Sequence, residues 1–129
     1  MLVACYQSIE HFMKVVGGYL MAYYMLQTAY TPMSLSSQMK NPQNVFSRTS
    51  IEAAIESLGG KLLCTYYSFG EYDLVQIMEI PDNISAASVS IVAASGGALK
   101  ASKITALLSE EEGLDAFKKA ATAKFKPGL

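Results

Sequence analysis

The sequence predicts an α+β fold in which one antiparallel sheet of four strands is covered by two helices, in the order strand, helix, strand, strand, helix, strand. Three observations predict it. Four runs dense in apolar, aromatic and Thr side chains read as strands. Two segments with apolar residues at helical spacing separate the first strand from the second and the third from the fourth, and each ends at a Gly-Gly pair. Only Gly70-Glu71-Tyr72-Asp73 parts the two middle strands. With 129 residues the chain has room for a single core.

The N-terminal stretch stands apart from this pattern. Leu2, Cys5, Ile9, Phe12, Val16 and Tyr19 would draw one apolar stripe on a helix until Gly17-Gly18 weakens it. Residues 1–20 are therefore expected to be a helical extension docked on the domain, a partner-binding or membrane-surface helix being the alternative. Met21 precedes the first strand directly, where a second translation start would fall. The folded domain is expected to span residues 21–129.

Tyr23 to Tyr30 reads as the first strand, with Thr31-Pro32 as its exit. Asn41-Pro42 offers an N-cap followed by proline at the first helical position, where the missing N–H costs nothing. Ile51, Ala54, Ile55 and Leu58 then define one buried helix face, closed by Gly59-Gly60. Lys61 to Phe69 and Leu74 to Ile80 form a hairpin, and Pro81 stops it. Asp82 or Asn83 caps a helix through about Ser95, whose expected inward face is Ile84, Ala87, Ile91 and Ala94. After Gly96-Gly97, residues from Ala98 to Leu107 complete the sheet. This order is the split βαβ arrangement of ferredoxin-like folds. Ser109 with Glu112 fits a capping box, and Leu114, Phe117 and Ala121 give the following C-terminal helix an apolar stripe that should pack outside the unit.

Composition excludes several functions. Ten basic and eleven acidic residues leave a net charge of −1, and Lys61 alone interleaves with the aromatic cluster, so nucleic acid is not an expected partner. Polar residues interrupt every apolar run before it could span a bilayer, so no membrane segment is expected. Cys5 and Cys64 sit in no paired motif, which is read as two free thiols in a reducing cytoplasm. One histidine and no spaced ligand set argue against a metal, and His11 lies outside the domain, which disfavours histidine-based nucleophilic catalysis. Asn83-Ile84-Ser85 matches the glycosylation triplet by chance. No glycine pattern cradles phosphate, and no cofactor is expected.

What remains is aromatic. Eight tyrosines are present, and Tyr30, Tyr66, Tyr67 and Tyr72 gather around the hairpin, each with a ring face and one hydroxyl. Asp73 and Glu71, two apart, could share a proton or orient a substrate, or could simply satisfy N–H groups of a turn. The third strand alternates poorly, with Val75 and Ile77 between Leu74, Gln76 and Met78, so neither sheet face is polar. Self-association would cover the second face.

Gly70-Glu71-Tyr72-Asp73, preceded by Leu58-Gly59-Gly60-Lys61 and by Tyr66-Tyr67-Ser68-Phe69, resembles the GYD domain family. The run from Tyr23 to Thr31-Pro32, Asn41-Pro42 and Pro81-Asp82 are similar too, so the resemblance spans about Met21 to Ser109. It implies a ferredoxin-like domain of the dimeric α/β-barrel group, in which two subunits commonly meet sheet to sheet. Related barrels include cofactor-free monooxygenases, isomerases and haem-handling enzymes, but this chain has no histidine in the matched region.

The reading that follows is a cytoplasmic homo-oligomer, a dimer or higher even assembly, that binds a small apolar or aromatic ligand at Tyr30, Tyr66, Tyr67, Tyr72 and Asp73. One alternative is a cofactor-free enzyme acting on an aromatic or lactone-like metabolite, with Asp73 or Glu71 as proton acceptor. The other is a purely structural assembly subunit.

Overall fold

In a computed structural model, which describes residues 21–42, 48–125 and 128, the sheet contains β1 (Ala22–Tyr30), β2 (Lys61–Tyr67), β3 (Leu74–Ile80) and β4 (Leu99–Leu107). The helices are α1 (Pro32–Lys40), α2 (Arg48–Ser57), α3 (Asn83–Ser95) and α4 (Glu110–Ala120). The strand order is β2-β3-β1-β4 and every pairing is antiparallel, the expected ferredoxin-like α+β arrangement. The proposed extension over residues 1–20 lies outside the described residues.

Strand periodicity decides which side chains meet. Tyr24, Leu26 and Thr28 pair with Met78, Gln76 and Leu74, placing all six on the helix-covered face. Ile51 and Ile55 of α2, Ala86, Val89 and Ala93 of α3, and Tyr24, Leu26, Leu62, Met78 and Ile80 of the sheet form the buried core. A hydroxyl hydrogen bond from Tyr24 to Asn83 Oδ1 ties β1 to the start of α3. On the second face Met25, Val75 and Ile77 are half-buried, beside the polar Gln27, Glu79 and Lys103.

The α2 to β2 corner shows why two glycines stand there. Gly59 has φ +86°, a left-handed conformation that ends the helix, and the Gly60 N–H donates to Ile55 O at 2.9 Å. Gly60 also lies where an added Cβ would meet Glu79 O at 2.5 Å.

Four expectations are corrected. Thr31-Pro32 ends β1 but also starts a helix: Thr31 caps α1, its Oγ1 accepting the Ser34 N–H at 3.1 Å, with proline in the first turn. Asn41 ends α1, its N–H donating to Ser37 O at 3.0 Å, and the helix start expected at Asn41-Pro42 runs into residues 43–47, outside the described residues. The inward face of α3 is Ala86, Val89 and Ala93, while Ile84 and Ile91 are 81% and 68% exposed. The reason is that α3 carries no charged residue, so the sequence marks no outward face and the larger apolar residues misdirect the reading. The capping box of α4 is present, with Ser109 and Glu112 bonded reciprocally at 2.9 and 3.0 Å, yet no residue of the helix is buried. Finally, Cys64 is disulfide-bonded and not a free thiol.

Candidate functional site

The site region lies at the end of the sheet where β1 and β2 finish and β3 begins. Tyr30 is the last residue of β1 and is fully buried. Tyr67 is the last residue of β2, pairs with Leu74, and shares the helix-covered face with Thr28. Tyr66, one position earlier, pairs with Val75 and lies on the opposite face, 53% exposed. The structure therefore brings Tyr30 and Tyr67 together and sets Tyr66 apart.

Asp73 fastens this end. Its Oδ2 accepts the Tyr30 N–H at 2.9 Å, its own N–H donates to Thr28 O at 2.8 Å, and its carbonyl accepts the Ser68 N–H at 2.9 Å. One residue thus joins the β2-β3 hairpin to β1. Tyr72 is half-buried and its carbonyl accepts the Ser68 hydroxyl at 2.7 Å, while Glu71 is exposed. The hairpin motif is built as a clasp in which backbone groups are satisfied by short-range geometry.

Helix α1 roofs the same end and was not expected from the sequence. An open hollow of about 400 Å³ lies between Leu35, Gln38, Met39, Pro42 and Tyr67. A second, of about 300 Å³, borders the other side of α1 against Gly96, Gly97 and Ala98. Gln38 lines both. Leu35 and Met39, one helical turn apart, could have signalled the wall, given that Thr31-Pro32 is as good a helix start as Asn41-Pro42.

Polar atoms are sparse but well placed. Gln76 is buried beneath this end of the core, with Nε2 donating to Thr65 Oγ1 at 3.3 Å. Gln76 Oε1 and Thr28 Oγ1 are buried and have no hydrogen-bond partner among the described residues. Sequence patterning missed both because a polar residue at an alternating strand position reads as solvent-facing. Among the described residues no group of three potential metal ligands occurs. No described helix is long and apolar enough to cross a membrane.

Burial pushes the Tyr30 phenol up to about 12, and the nearby Tyr67 and Asp73 push in the same direction, while a hydrogen bond with Gln38 opposes them. The phenol is accordingly a neutral group at physiological pH. The sign of the stability effect follows from linkage. Below the ordinary value of 10.0 both folded and unfolded chains hold the proton, and the contribution is fully present. From pH 10 to about 12 only the unfolded chain ionises, and on the order of 2 kcal/mol is lost. Urea melts across this range should show a shallower decline for Tyr30→Phe than for the wild type; equal slopes would contradict the assignment.

No curated protein matches the chain. Among solved structures, the crystal structure of MtbAldR superposes with a TM-score of 0.51 at 14% identity, over 77% of this chain and 66% of that one. This chain thus spans just under two thirds of MtbAldR, and likeness at that identity shows a shared fold alone. The GYD domain model matches residues 24–117, from β1 into α4 and across the whole Asp73 clasp, and the chain belongs to the GYD domain family.

Proposed function

We propose that the protein is a homo-oligomeric small-ligand-binding protein, and that its ligand is a flat, neutral molecule carrying one hydroxyl or N–H. The hollow under α1 carries this reading. Its walls are Leu35, Met39, Pro42 and the Tyr67 ring, with Gln38 as the polar group, and its volume falls at the lower end of ligand pockets. None of the residues lining this hollow is charged, which favours an uncharged ligand over an anion. Tyr72 and Asp73 act by holding Tyr30 and the end of β2 in place, and Tyr66 stays outside the pocket.

Self-association is supported by the half-buried apolar residues Met25, Val75 and Ile77 on the second sheet face. A second copy laid sheet to sheet would remove them from water. The enzyme alternative lacks a comparable observation, because Asp73 Oδ2 is bonded to the Tyr30 N–H and Glu71 is exposed.

The test uses 2-naphthol and its anionic counterpart 2-naphthoate as probes in calorimetric titrations. 2-Naphthol should bind and 2-naphthoate should bind at least tenfold more weakly. Tyr67→Ala, at a side chain 67% exposed, should weaken 2-naphthol at least tenfold while leaving the melting temperature unchanged. Equal affinity of wild type and Tyr67→Ala would remove the pocket.

A further inference from the structure

Two helices of this chain present apolar stripes that are exposed among the described residues. The thirteen residues of α3 include no charged side chain. Its outer stripe, Ile84, Ala87, Ile91 and Ala94, follows helical spacing, and all four residues are exposed, Ile84 to 81% and Ile91 to 68%. A helix face without charge normally lies against another surface. The second stripe is on α4, where Leu114 is 55% exposed and Phe117 80% exposed, with Glu111, Asp115, Lys118 and Lys119 around the other side. This helix has eleven residues and a complete capping box, but none of it is buried. A helix that short is marginal in water unless its apolar face is packed.

The stripes match in shape and length. Ile84 and Ile91 stand two turns apart with Ala87 between them, leaving a notch that an aromatic ring of the size of Phe117 fills. Both helices run for three turns or more, roughly 16 to 20 Å. The charges of α4 would form a polar rim around this contact.

The chain cannot make the contact with itself. Only Leu108 and Ser109 separate the end of β4 from the start of α4. That connector spans roughly 11 Å when fully extended. A helix seated on the outer face of α3 would have its axis roughly 18 to 20 Å from the sheet, one helix thickness plus a helix-to-helix spacing. The connector falls short by nearly half.

We propose that α4 of one copy is an exchanged arm that docks on the outer face of α3 in a second copy, Phe117 entering the notch between Ile84 and Ile91. The occupant is another copy of this chain because the reach excludes the same copy and because each copy supplies one knob and one notch. This inference rests on the homo-oligomer reading but uses a surface distinct from the second sheet face. Arms joining sheet-paired dimers would give an assembly larger than a dimer.

Light scattering on full-length Ile91→Glu and Phe117→Glu tests it. Both residues are exposed, so circular dichroism should be unchanged, while the assembly mass should fall to half of the wild-type value or less. Mixing full-length Ala87→Cys with Phe117→Cys under oxidation should give a disulfide between positions 87 and 117, identified by peptide mass spectrometry. A wild-type monomer overturns both the homo-oligomer reading and the arm. A wild-type oligomer whose mass neither substitution changes overturns the arm alone. Disulfides joining only 87 to 87 would also overturn it, since α3 would then meet α3.

Discussion

Gly60→Ala is expected to lower the unfolding free energy by about 3 kcal/mol, the upper part of the range for overpacking a filled site. The new Cβ would stand 2.5 Å from Glu79 O, 2.8 Å from Ile80 Cδ1 and 3.0 Å from Ile55 Cγ2. Two of these atoms belong to side chains that could rotate at some cost, but the first is backbone in the middle of the sheet. Relief requires the α2 to β2 corner to move away from β3, which opens the core around Ile55 and Ile80, both fully buried. Urea unfolding measures the loss, and for a domain of this size the melting temperature should drop by roughly 10 °C. Gly96→Ala is the control: Gly96 has φ −77° and ψ −8°, with nothing within 4 Å of an added Cβ. It should be neutral or slightly stabilising, because alanine restricts the unfolded chain without strain in the folded one. Similar losses in both variants would mean that glycine's chain freedom, and not the close approach, sets the effect.

Asp73→Ala carries the second large effect, also about 3 kcal/mol, the upper range for a hydrogen bond to a charged acceptor. Removing the carboxylate takes the acceptor from the N–H of a fully buried residue, Tyr30, while the two backbone bonds of Asp73 persist. Asp73→Asn keeps an oxygen that can accept the same N–H and should lose less than half as much. The pair of variants separates two roles. If Asp73 holds the clasp, binding of 2-naphthol should survive in Asp73→Asn wherever the protein is folded. Loss of binding in a fully folded Asp73→Asn would instead show that the carboxylate touches the ligand.

Much of the fold was legible because its signals are local. Ile51 and Ile55 were placed in the core by spacing, Asp82 and Ser109 by their capping chemistry, and the hairpin by four residues between two apolar runs. A cap or a turn is satisfied within a few residues, so neighbours in sequence carry the information. The same locality misled at Thr31-Pro32, read as a strand exit although the step also caps and starts α1. Nothing local ranks a strand exit above a helix start when both fit the same proline step.

The candidate site was half legible. Its aromatic content and Asp73 stood out, but the separation of Tyr66 from Tyr67 depends on the register between β2 and β3, with its irregularity between Leu62 and Cys64. A register is a long-range property, and composition does not contain it.

By itself, then, the sequence determined the order of the four strands and of α2, α3 and α4 among them, the antiparallel hairpin, the caps at Asp82 and Ser109, and the family. These follow from backbone chemistry acting over a few residues. Only the tertiary structure decided which face of α3 points inward, that α1 roofs the Tyr30 and Tyr67 end, and that Asp73 clasps β1. Each of those depends on residues tens of positions apart arriving at the same place, where volume and buried hydrogen bonds select among arrangements that the local rules leave equal.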